Sequence, residues 1–93
     1  MSNHKLPQGW PEEGHFTKTY RPYGIRVTRA QLDRIDSIEN CTVVRERGKD
    51  PYVYVNTTEG KLEMTIGGWI LKDSDGNPYP VSHEEMINMY KPI

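Results

Sequence analysis

Residues 67–90 read GGWILKDSDGNPYPVSHEEMINMY, and this run decides the fold. Trp69 to Lys72 reads as a strand. Asp73-Ser74-Asp75-Gly76 is a turn signal, because Asp and Ser side chains bond their own backbone and Gly accepts a positive φ. Residues 77–81 form a short strand, which Pro78 and Pro80 confine to a sheet edge. Ser82 then opens a helix. Ser82 and Glu85 have capping-box spacing, and Val81 with Met86 are placed as a hydrophobic staple. Met86, Ile87 and Tyr90 face the sheet, and Pro92 ends the helix.

Upstream, Lys61 to Ile66 alternates: Leu62, Met64 and Ile66 on one side, Lys61, Glu63 and Thr65 on the other. Gly67-Gly68 breaks this strand before Trp69 resumes it, which marks a bulge or a place where another backbone comes close. Tyr52 to Thr57 is rich in β-branched and aromatic residues and reads as a strand. It pairs as a hairpin with Cys41 to Arg47 across the loop at 48–51. Thr28 is expected to open a helix, with Gln31 completing a capping box. Leu32, Ile35 and Ile38 form its narrow apolar stripe, and Asn40 stops it. Residues 16–28 give two extended pieces broken at Arg21-Pro22. Residues 1–15 read as an irregular arm whose Trp10 docks onto the body of the domain or a neighbouring subunit. The expectation is therefore an arm, 1–15, and one domain, 16–93. The domain is α+β, with a small, bent, mostly antiparallel sheet and two short helices.

Composition narrows the function classes. In 93 residues only 34% are hydrophobic, so the core is compact or is completed by a partner, and a homo-oligomer fits. Twelve basic and 13 acidic residues give a net charge of -1, which argues against coating nucleic acid by charge alone. No apolar run approaches the ~18 residues of a membrane span. The first 15 residues lack the apolar centre of a signal peptide. A single cysteine, Cys41, fits a reducing compartment.

The chemistry-bearing residues give no catalytic set. Asp73-x-Asp75-Gly76-Asn77 resembles the start of a calcium loop, but the flanking helices are missing and a hairpin turn explains the same letters. His4, His15 and His83 are scattered without metal-ligand spacing, and His83 reads as a solvated helix start. Cys41 starts a strand, where it reads as a small buried hydrophobe. No phosphate loop or nucleophile elbow is present. The expectation is a non-enzyme without cofactor or metal. Arg21, Arg26, Arg29 and Arg34 with Tyr20 and Tyr23 suit phosphate contact and base stacking. They equally suit a protein interface or a solvated face with ordinary ion pairs. Tyr52, Tyr54, Trp69 and Tyr79 are expected together on the bent sheet, mainly as core. Trp69 and the two glycines before it remain open as a contact region.

The second half of the chain resembles a family of small phage-encoded proteins. Tyr54-Val55-Asn56-Thr57 with Glu59-Gly60, Gly67-Gly68-Trp69-Ile70-Leu71, Asp75-Gly76-Asn77-Pro78-Tyr79-Pro80 and Met89-Tyr90-Lys91-Pro92 carry the resemblance. Thr19-Tyr20-Arg21-Pro22 adds to it more weakly. Gly68 stands where the family has Asp, and the arm to His15 has no counterpart. The resemblance implies a phage origin and action in the host cytoplasm. It implies no catalytic residue, because the family carries no general activity. The leading expectation is a protein that binds and inhibits a host protein, within the class of antiphage-defence components. Arg26, Arg29, Tyr52, Tyr54 and Trp69 are its candidate contact residues. The alternatives are a binder of nucleic acid or of a nucleotide signal, and a structural phage component.

Overall fold

The computed structural model describes residues 5–17 and 22–93, so His4, Thr19, Tyr20 and Arg21 lie outside the described residues. Within them the chain is α+β and its sheets are antiparallel throughout. The strands are β1 (Glu13–Thr17), β2 (Tyr23–Arg26), β3 (Cys41–Val44), β4 (Tyr52–Thr57), β5 (Gly60–Thr65), β6 (Trp69–Lys72), β7 (Pro78–Val81) and β8 (Lys91–Pro92). The helices are α1 (Leu32–Asp36) and α2 (His83–Met89). The strands do not share one bent sheet. They divide into a five-stranded sheet, β7-β6-β2-β1-β8, and a three-stranded sheet, β3-β4-β5.

The division falls at Gly67-Gly68. Gly67 has φ +99°, a conformation in which a side chain would strain the backbone. Its N–H donates to the Val27 carbonyl, and the Val27 N–H donates to the Gly68 carbonyl, both at 2.8 Å. So β6 does not resume β5 in the same sheet. It crosses to the other sheet, and Val27 is the backbone that comes close. Gly68 also leaves no room for a side chain: a Cβ there would lie 2.0 Å from Met64 Sδ.

β6 is an interior strand, between β7 and β2, and is buried on both faces. Ile70 joins Ile25, Val27, Leu32, Ile35, Cys41, Val53 and Val55 in a core between the two sheets. Trp69 and Leu71 point the other way, into a core with Phe16, Val81, Met86 and Tyr90 that α2 and the arm cover. Burying both faces of one strand is how a chain with little apolar content builds two small cores. Trp10 docks as its isolation predicts, its ring centroid 5.4 Å from Phe16 and 6.4 Å from Trp69.

Several boundaries differ from the sequence reading. β3 ends at Val44 rather than Arg47, and α1 ends at Asp36, before Ile38 and Asn40. β1 begins at Glu13, inside the stretch read as arm, because Glu13, Gly14 and His15 pair with Ile25, Gly24 and Tyr23. That partner is distant, and local composition does not reveal it. Thr28 makes no side-chain cap; residues 29–31 form a 3-10 turn before α1. The Gln31 amide instead donates to Glu13 Oε1 at 3.0 Å. Elsewhere the local signals hold. Asn40 adopts φ +72°, Asp73 Oδ1 accepts from Asp75 N and Asn77 N at 2.9 Å, and Ser82 Oγ accepts from Glu85 N at 3.1 Å.

Candidate functional site

The five candidate contact residues do not converge. Trp69 is fully buried, under the arm and edge-on to Phe16 with centroids 5.2 Å apart. It is a core residue. Arg26 lies opposite Trp69 in the β2–β6 register; its side chain is 12% exposed and sits 3.6 Å from Glu12. Arg29 is well exposed and pairs with Asp50 at 2.6 Å, an ion pair of the solvent-screened kind that contributes little to stability.

Tyr52 and Tyr54 are the two that stand together. They are two residues apart on β4, so the pleat puts both on one face. Their rings meet edge to face at 5.3 Å and 89°. The register sets Thr42 and Glu63 beside Tyr54, and Val44 and Thr65 beside Tyr52. These neighbours are exposed or half-exposed, so this is the outer face of the small sheet. The Lys61 ammonium stands 4.2 Å from the Tyr54 ring centroid, a cation–π contact. Burial, then the hydrogen bond to Tyr54 and the charge of Glu46, push the Tyr52 phenol up to about 12. That face is therefore aromatic at its centre and charged at its margin, with the Tyr52 phenol neutral at physiological pH.

The arginines are not a bare basic patch. Arg26 faces Glu12, Arg29 faces Asp50, and Arg45 faces Asp33. Arg34 pairs with Glu13, which also accepts from Tyr23 and Gln31. The Arg34 guanidinium holds the Glu13 carboxyl below its usual value, and the hydrogen bond to Glu13 raises the Tyr23 phenol. Four arginines thus already have carboxylate partners.

A cleft of about 600 Å³ opens where the β4–β5 turn meets the β6–β7 turn, with Asn40, Asn56, Glu59, Leu62, Asp73 and Tyr79 among its lining residues. Among the described residues its charged lining groups are the carboxylates Glu59 and Asp73, which disfavours an anion such as a phosphate. Sequence reasoning missed this cleft, because its walls come from turns of two different sheets and carry no shared local pattern.

Cys41 is buried, and desolvation raises its thiol to about 11, the opposite of what activates a nucleophile. Among the described residues no group of three or more His, Cys, Asp or Glu side chains is placed to hold a metal ion. No helix among them is long and apolar enough to cross a membrane. Compared with protein-family models, curated proteins and solved structures, the chain matches none.

Proposed function

We propose that the chain is a non-enzymatic binding protein that engages a protein partner through the outer face of its three-stranded sheet, centred on Tyr52 and Tyr54. The observation that carries this reading is the edge-to-face tyrosine pair, half-exposed on a sheet face and flanked by Lys61 and Glu63. Tyrosine supplies large contact area at low side-chain entropy, and aromatic clusters with charged margins are typical of binding hot spots. The resemblance of the second half to phage-encoded proteins supports a host protein as the partner and its inhibition as the outcome. Antiphage-defence components are the class that this origin favours. Of the five candidate contacts, Tyr52 and Tyr54 carry this reading; Arg29 is exposed but already paired with Asp50, and Trp69 and Arg26 are buried or nearly so.

The carboxylate partners of the arginines and the acidic cleft weigh against the nucleic-acid and nucleotide readings. The test is affinity capture from host lysate with the wild-type chain and with Tyr52→Ser/Tyr54→Ser, washed at moderate salt. One host protein should be retained by the wild type and lost by the folded double variant. Removing a two-residue hot spot of about 2 kcal/mol each weakens binding ~30-fold per residue. Equal capture by both chains, or capture of none, sinks the proposal. So does an oligonucleotide complex whose affinity falls steeply with salt.

A further inference from the structure

Sheet edges present unpaired backbone groups, and proteins close them in recognisable ways. Here three of the four edges are closed. β7 holds Pro78 and Pro80, which have no N–H to offer. β8 is only two residues long. On β3, the outward N–H of Val43 donates to Asp36 Oδ1 at 3.0 Å. β5 has none of these devices. It is six residues long, contains no proline, and is exposed along almost its whole length.

The direction of its free groups follows from the register. The Asn56 N–H points toward the β3 side, bonding the Asn40 carbonyl at 2.9 Å. Neighbouring residues of a strand alternate direction, so Val53, Val55 and Thr57 bond β5 through Met64, Leu62 and Gly60. Lys61 and Glu63 therefore turn their N–H and C=O groups away from β4, to the open edge. Their side chains lie on the tyrosine face, and Leu62, 41% exposed, lies on the other.

We propose that this edge pairs with β5 of a second copy of the chain, antiparallel about a two-fold axis through Leu62. In that register Lys61 opposes the partner's Glu63, Glu63 opposes the partner's Lys61, and the two exposed Leu62 side chains meet. The outward backbone groups of Lys61 and Glu63 form the hydrogen-bonded pairs, and Leu62 falls at the non-bonded position, where side chains approach most closely. A shift that centres the axis on Glu63 or on Lys61 brings like charges together, which is unfavourable for directly opposed cross-strand residues. Charge thus selects one register. The two three-stranded sheets become one continuous sheet. Because the axis stands perpendicular to it, the Tyr52–Tyr54 pairs of both copies share one face. The pairing stands on the edge geometry alone and does not depend on the proposed host partner.

Sedimentation equilibrium of the full chain tests it. The wild type should pass from monomer to dimer as concentration rises to about 100 µM, a range that captures micromolar pairing. Lys61→Glu and Glu63→Lys should each weaken the dimer ~10-fold or more, since two cross-strand pairs turn from attractive to repulsive. The double swap Lys61→Glu/Glu63→Lys should restore it. An equimolar mixture of the two single variants should form a heterodimer tighter than either homodimer. Circular dichroism checks that each variant is folded. Leu62→Lys, which sets two ammonium groups on the axis, is the second route to the monomer if a swap misfolds. A wild type that stays monomeric overturns the proposal, whether or not a foreign strand binds the edge. So does a dimer indifferent to the single swaps, or a double swap as weak as the singles.

Discussion

Gly68→Ala is the sharpest probe of how the two sheets are joined. The new Cβ would lie 2.0 Å from Met64 Sδ and 2.6 Å from Met64 Cγ. Turning the terminal methyl does not relieve this, because Cγ is itself too close. The backbone cannot retreat either. The Gly68 carbonyl is held by Val27 N at 2.8 Å and its N–H by the Thr65 carbonyl at 3.1 Å. Met64 must therefore leave its place against the inter-sheet core. Overpacking of this kind costs about 1–3 kcal/mol. Met64→Ala alone should cost about 1–2 kcal/mol, less than a fully buried methionine, because Met64 is only half-buried. The double variant should be scarcely worse than Met64→Ala, since the alanine methyl occupies vacated space. The coupling then approaches the whole cost of Gly68→Ala, about 1–3 kcal/mol in favour of the pair, above the ~0.5 kcal/mol scatter of independent sites. Gly67→Ala is the control. Its loss comes from φ +99°, roughly 1 kcal/mol or more, and Met64→Ala should not rescue it. Urea unfolding followed by circular dichroism measures the wild type and the five variants, the Gly67→Ala/Met64→Ala pair included. Additivity of Gly68→Ala and Met64→Ala would refute the steric account.

Three further outcomes are expected. Trp69→Ala should cost about 3–5 kcal/mol in urea unfolding, and Trp69→Phe distinctly less. Phenylalanine keeps an aromatic ring beside Phe16 and removes a buried indole N–H that has no partner among the described residues. Cys41 should react slowly with a thiol reagent in the folded protein at pH 8 and rapidly in denaturant. Because burial raises the Cys41 thiol to about 11, its contribution to stability is full below the unfolded value near 9 and is lost as pH rises toward 11; Cys41→Val should remove that alkaline decline. Glu13 has a lowered folded value, chiefly through its hydrogen bond to Arg34. Its contribution is therefore present above the ordinary carboxylate value of 4.5 and lost as pH falls below it. Glu13→Gln should flatten the acid limb of a stability–pH curve.

What was legible in the sequence was what neighbours decide. The β6–β7 hairpin and α2 are written in the Asp73 turn, the two prolines and the Ser82 cap, each complete within a few residues. The tyrosine face was readable only in part: residues two apart on a strand share a side, but Tyr52 and Tyr54, expected mainly as core beside Trp69 and Tyr79, lie half-exposed on the outer face of the other sheet. Thr28 and Gln31 had the right spacing for a capping box, yet Glu13, a strand away, took the Gln31 amide. The separation into two sheets was hidden for the same reason: Gly67-Gly68 announced a close approach but not that Val27 would make it. Trp69 could have been core or contact until the arm was seen to cover it with Trp10. That β5 is an edge at all depends on β6 leaving its sheet at Gly67-Gly68, which no stretch of β5 discloses.

β2 and β6 are immediate neighbours in the larger sheet, so everything in residues 27–68 is an elaborate connection between two adjacent antiparallel strands. Its ends are tied at the base by the reciprocal Val27–Gly67–Gly68 hydrogen bonds. This arrangement bears on the order of folding. A slack loop of that length would resist closure by its own chain entropy. Here the loop contains α1 and a meander of hairpins that fold from near neighbours in sequence. Once they have formed, Arg26 and Trp69 are delivered to each other with most of the intervening freedom already gone. The expected order is therefore the small sheet as nucleus and the large sheet as its consequence. Substitutions in the β3–β4 hairpin should slow folding, whereas those in β7 and α2 should mainly hasten unfolding.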